Sequence, residues 1–305
     1  MHVRITIGIL IFLLFLGCKS GDQNRSKDQE LSGFQNKDSI IRRDDPKQPY
    51  YRFPSGREML NYIHSQDFSY LTGLCNSPDN LDQYHSTLSR MLNLGVYLAD
   101  LSYLILFEKT RKGESYFDAI LRLTTDLRLA LPDKQRLIER ISDNLHNTDS
   151  LVEISEDYQS HVIDYLLETG QEKTLAIITA GSYIEGLYLA VHLAGDYKDN
   201  PETVQKIADQ KYAVDHLMHF SRQYEGDLNI DQTLDYLVKL DDFYNSLPER
   251  KEETRVSRDQ SNHLVFKGGN QVQMSAADWD QLKDLVVGLR NEIVQNKQPG
   301  HAAVY

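Results

Sequence analysis

The chain has 305 residues, with 45 acidic side chains against 33 basic ones, a formal net charge of −12 and 40% hydrophobic residues. That balance argues against nucleic acid or anionic lipid headgroups as partners, since binding either depends on clustered Lys and Arg. With only two cysteines, Cys18 and Cys75, no disulfide framework can be built, and stability has to come from a packed core.

The chain opens MHVRITIGILIFLLFLGCKSG, in which one Arg precedes an apolar run from Ile5 to Leu16 and then Gly17-Cys18. The run is shorter than the roughly 20 apolar residues a bilayer span needs, so it reads as a secretory signal. FLGC resembles the lipobox of bacterial lipoproteins. The resemblance implies a signal peptide over residues 1–17 and a Cys18 that carries diacylglycerol and, on its new amino group, a further chain such as palmitate. Removing the signal takes away Arg4 alone among the charges and moves the net charge from −12 to −13. Lys19 and Ser20, rather than Asp, follow the Cys, so the expected address is the outer membrane. At about 0.8 kcal/mol per buried methylene, two or three acyl chains anchor effectively for good.

Residues 18–49 are rich in Lys, Asp, Gln, Ser and Asn and cannot bury enough surface to repay ordering, so they read as a flexible tether. A helical domain is expected over 50–305. Its first helix is signalled by Ser55 and Glu58, a capping box. Ser77-Pro78-Asp79 opens a long helix to about Lys109, with Lys112-Gly113 as its stop. Segments at about 114–130 and 133–146 follow, then Thr148–Glu168 ended by Gly170 and Glu172–Ala194 ended by Gly195. Asn200-Pro201-Glu202 starts a helix reaching about Tyr224, and Pro248 stops another that begins at Ile230. PERKEETRVSRDQ reads as an exposed loop, and HLVFKGGNQVQM as a small hairpin turning at Gly268-Gly269-Asn270. Ser275 and Asp278 cap a last helix with a stripe of Trp279, Leu282, Leu285, Val286 and Leu289. The fold class is all-α: an irregular multi-helix bundle with two buried central helices and one possible β-hairpin.

Those central helices are LNLGVYLADLSYLILF at 92–107 and LAIITAGSYIEGLYLAVHLA at 175–194, both apolar nearly all round. They echo each other, with Gly95-x-Tyr97 before DLSYL and Gly181-x-Tyr183 before EGLYL. Gly95, Gly181 and Gly186 each cost about 1 kcal/mol against Ala in a helix, which makes sense where two backbones cross closely. Glu185 has no Lys or Arg within two turns. One reading pairs it with Tyr103 across the crossing, and Asp100 with Tyr188, so that the acids fix helix register. The other makes a ligand or cation site from Ser182, Glu185, Tyr188 and His192, which share a helix face, together with Asp100 and Tyr97 or Tyr103 opposite.

The remaining motifs point elsewhere than to chemistry. Asp215-His216-x-x-His219 reads as surface, Asp157 and His161 as a helix-face pair, and Cys75 as a small half-buried hydrophobe. No metal site, cofactor or catalytic motif is expected. LGVYLADLSY and AGSYIEGLYLA resemble uncharacterised helical lipoproteins of Gram-negative bacteria, a likeness that implies no activity. The expected function is a non-enzymatic binding or scaffold module of the cell envelope, partnered by the membrane through its lipid and by another envelope protein. The alternative is a small-ligand or cation-binding protein, with acid-base catalysis by the paired carboxylates as the remaining one.

Overall fold

The computed structural model describes residues 68–129, 134–144, 147–258 and 264–296. All belong to one compact unit, Ser39–Tyr305; the other unit, Met1–Asp38, lies outside the described residues. So do the lipobox, the tether and the helix expected from Ser55.

Residues 68–77 run without a regular element and lead into a 3-10 turn, Pro78–Gln83, capped by Ser77. Nine α-helices follow among the described residues: α1 Thr87–Leu106, α2 Thr110–Asp126, α3 Lys134–Asp143, α4 Thr148–Glu168, α5 Glu172–Ala194, α6 Pro201–Ala208, α7 Lys211–Arg222, α8 Leu228–Ser246 and α9 Ala276–Val294. One antiparallel hairpin, β1 Glu249–Arg258 with β2 Leu264–Val272, separates α8 from α9. The fold is all-α.

The long helix expected from Ser77 is divided, because Ser86 accepts from the Ser89 amide and starts α1 afresh. Its expected stop at Gly113 also moves. Glu108 takes the left-handed conformation, φ 57°, and ends α1, while Gly113 lies inside α2. There a Cβ would stand 3.3 Å from Leu101, so the glycine serves the packing of α2 on α1 rather than helix termination.

The helix expected over 201–224 breaks at Asp209-Gln210 into α6 and α7. Two buried tyrosines cover carbonyls at the break: Tyr244 Oη donates to Ile207 O at 3.0 Å and Tyr183 Oη to Gln210 O at 3.2 Å. The hairpin differs more. The charged stretch read as a loop is β1, and Gly268-Gly269-Asn270 lies within β2, where Gly269 pairs with Glu252 and Asn270 with Lys251. One extra residue in β1 between Glu252 and Arg255 makes a bulge at this place, and a bulge tolerates glycine as readily as a turn does.

The core is organised around α1 and α5, which pack on each other more extensively than any other helix pair described. A Cβ on Gly95 would fall inside the backbone of Ile178 and Ser182, and one on Gly181 inside that of Leu92. The two glycines are therefore the point of backbone contact. Helix α5 is long and apolar enough to cross a membrane, but 78% of its apolar window is buried within the bundle. Gly195, φ 69°, ends it, and its carbonyl accepts from Trp279 Nε1 at 3.1 Å, which seats α9 against the end of α5. The capping box at Ser275 and Asp278 is present, with Trp279, Leu282, Val286 and Leu289 buried and Leu285 half-buried.

Candidate functional site: a buried carboxyl pair under an extended strap

Helix geometry brings Asp100 of α1 and Glu185 of α5 together just beyond the glycine crossing. Both are 0% exposed, and the Glu185 charge acts directly on the Asp100 carboxyl. The tyrosine partners expected for them are not the ones they have. Glu185 is held by Arg290 of α9, whose Nε lies 3.0 Å from Oε2 and whose Nη2 lies 3.4 Å from Oε1, a forked charge-assisted pair. Arg290 is itself only 9% exposed, and its guanidinium carbon sits 4.6 Å from the Tyr188 ring centroid. The missing cation thus comes from 105 residues away in the chain.

The tyrosines serve the backbone instead. Tyr103 Oη donates to Leu71 O at 3.1 Å and accepts from Leu71 N at 2.9 Å. Tyr188 lies between Arg290 and His192, whose ring centroid is 4.3 Å away, and His192 Nδ1 donates to Tyr188 O at 2.7 Å. Ser182 is half-buried, with its backbone against Gly95. Of the six residues proposed as a ligand face, Asp100, Glu185, Tyr188 and His192 therefore gather around Arg290, while Tyr103 and Ser182 face other neighbours.

What the cluster holds is the segment Leu71–Ser77, which lies over it as a strap. Tyr103 binds Leu71, and Arg290 Nη2 donates to Leu74 O at 3.0 Å. Asp100 Oδ2 accepts from Asn76 N at 2.9 Å, and Tyr97 Oη donates to Ser77 O at 2.9 Å. The Asn76 side chain donates to Tyr84 Oη at 2.9 Å and to Asn93 Oδ1 at 3.3 Å. Tyr84 and Asn93 in turn reach the end of α9, donating to Val294 O and Ile293 O at 3.1 Å each. Arg290, Asn76 and Asn93 are the functional side chains that sequence reasoning missed. The one signal for Arg290 was its place beside the apolar stripe of α9, one residue after Leu289.

Electrostatics follow from burial. Burial pushes the Asp100 carboxyl well above the usual carboxylate range, and the Glu185 charge adds to that against the pull of Arg290. Burial also raises Glu185, but the Arg290 charge and hydrogen bonds oppose it. Burial works against the Arg290 charge, yet the Glu185 carboxylate outweighs it and holds the guanidinium protonated. The thiol of Cys75, half-buried on the strap, is pushed far up by burial and by the Asp100 and Glu185 charges, which favours its neutral form. Tyr103 is pushed up to about 12, chiefly by burial.

Elsewhere, Asp157 pairs with Arg140 at 3.2 Å rather than with His161, and His216 and His219 are exposed. No group of three or more His, Cys, Asp or Glu able to hold a metal ion occurs among the described residues. What the fold and this centre define is a class: an all-helical bundle whose ion-paired core fastens its own N-terminal strap. No family model matches the chain, and no curated protein or solved structure does.

Proposed function

We propose that the protein is an envelope lipoprotein, acylated at Cys18 and held at the outer membrane, whose helical body is a non-enzymatic binding or scaffold module. The observation that carries the second half is the employment of the buried polar groups. Asp100, Glu185, Arg290, Tyr97 and Tyr103 all bind each other or the backbone of the strap, which is what a structural joint requires. A cation held between Asp100 and Glu185 has less support, because the Arg290 guanidinium already occupies the place beside Glu185.

For the anchor, the full chain expressed in a Gram-negative host is expected to incorporate an alkyne palmitate probe and to sediment with membranes. Cys18→Ala should lose the label and become soluble; an unchanged label in that variant would refute acylation at Cys18. For the body, calcium, magnesium or zinc should leave the melting midpoint of the wild type where it is. A midpoint raised by one of these ions in the wild type and unmoved in Asp100→Asn would favour cation binding instead.

A further inference from the structure

Four carboxyl oxygens meet at the centre, and three have donors: Asp100 Oδ2 from Asn76 N, and both oxygens of Glu185 from Arg290. The fourth, Asp100 Oδ1, is buried without a hydrogen-bond partner. One guanidinium, moreover, cannot neutralise two carboxylates in a site closed to water. A single proton on Asp100 Oδ1, donated toward Glu185, removes both defects, supplying the missing hydrogen bond and leaving one carboxylate for one guanidinium.

The groups facing this pair come from every element around it. They are Cys75 on the strap, Tyr84 after the 3-10 turn, Tyr97 and Tyr103 on α1, Tyr116 on α2, Tyr188 and His192 on α5, and Arg290 on α9. The thiol and the phenols of Tyr84, Tyr97, Tyr103, Tyr116 and Tyr188 are all shifted toward their neutral forms, so none supplies a counter-charge if the shared proton is lost. Of the covering elements, the helices are tied by their own backbone bonds, whereas residues 71–76 have no helical ladder. Peeling back the strap is then the least costly way to bring water to a second carboxylate.

We infer that Asp100 and Glu185 share one proton in the folded protein, and that losing it releases the Leu71–Ser77 strap from an otherwise intact bundle. The inference is independent of the function proposed above. It makes the strap a pH-operated latch. Tyr103 keeps its grip on Leu71, so opening is expected to start at Asn76, the residue whose amide Asp100 holds directly.

The test is amide hydrogen exchange on the full chain across neutral to alkaline pH, corrected for intrinsic exchange. Protection of the Asn76 amide should fall by about tenfold per pH unit once the proton is lost, the slope for one linked proton. Amides in the middle of α5 should hold over the same range. In Asp100→Asn, whose amide can still accept from Asn76 and donate to Glu185, the fall should vanish. Flat protection at Asn76 in the wild type would overturn the inference, as would a fall that persists unchanged in Asp100→Asn, which would place it on a phenol or on Cys75. A reading that needs no variant is the carboxyl carbon resonance of Asp100 in the wild type. It should lie at the protonated position at neutral pH, and the ionised position there would equally overturn the inference.

Discussion

Glu185 illustrates how a single residue can be read correctly as a problem and incorrectly as to its solution. Its burial and its lack of a local cation are legible in the sequence; Arg290 is not, because helical spacing says nothing of partners 105 residues apart. The pairing makes the three charged positions respond differently to substitution. Arg290→Leu strands a fully buried carboxylate and should cost about 3–5 kcal/mol, read from chemical denaturation. Combining it with Glu185→Leu should recover most of that loss, since two apolar side chains then replace the pair. If the double variant were as unstable as the single one, the cost would lie in the lost bond to Leu74 rather than in the stranded charge. Asp100 carries the opposite sign. Its folded proton affinity is raised, so its contribution is complete below the unfolded pKa of about 3.9 and is lost as pH rises through the folded value. Asp227, the cap of α8, is lowered first by its bond to Lys173, so it contributes above its unfolded pKa and loses that contribution in acid. Asp100→Asn should therefore leave the neutral-pH midpoint unchanged or higher, while Asp227→Asn should flatten part of the acid limb of the stability profile.

Among the elements, the glycine crossing and the presence of a hairpin were readable, while the hairpin's first strand and its turn were not, for physical reasons. A glycine costs about 1 kcal/mol inside a helix, so two in matching apolar helices signal a close approach wherever the helices lie. The hairpin offered no such compulsion: Gly-Gly-Asn is chemistry shared by turns and bulges, and β1 is a run of charges without apolar alternation. The helix glycines give a graded set of expectations. Gly288→Ala in α9 meets open space and should stabilise by about 0.5–1 kcal/mol. Gly95→Ala and Gly181→Ala place a methyl inside a neighbouring backbone and should destabilise despite the same gain in propensity. Thermal midpoints of the three variants would decide it; a rise at Gly95 would mean that α1 and α5 can separate cheaply. The tyrosines teach a related lesson. Tyr84, Tyr97, Tyr103, Tyr183, Tyr197 and Tyr244 each donate to a main-chain carbonyl, most of these carbonyls lying outside a helix. A residue that fills a core and caps loose backbone suits a bundle of unequal helices, and only the coordinates show which carbonyl each one finds.

Over the whole molecule, the strap and the last helix are joined although they stand at opposite ends of the described chain. Arg290 reaches Leu74 across 216 residues, Tyr84 reaches Val294 across 210 and Asn93 reaches Ile293 across 200. Contacts of such separation are expected to form late in folding. A chain ended before Ala276 lacks the cation for Glu185 and the burial of Trp279, Leu282, Val286 and Leu289. It should keep helical circular dichroism but lose a cooperative thermal transition; a sharp transition in that truncated chain would show that α9 is dispensable. The same joint bears on the order in which the protein is made. The ribosome delivers the strap before its counterpart, and the 216 residues between Leu74 and Arg290 must be added before the centre can close. On the proposed export route, which threads the chain unfolded through a translocation pore, that delay acts as a timer, keeping the body open until α9 has been synthesised.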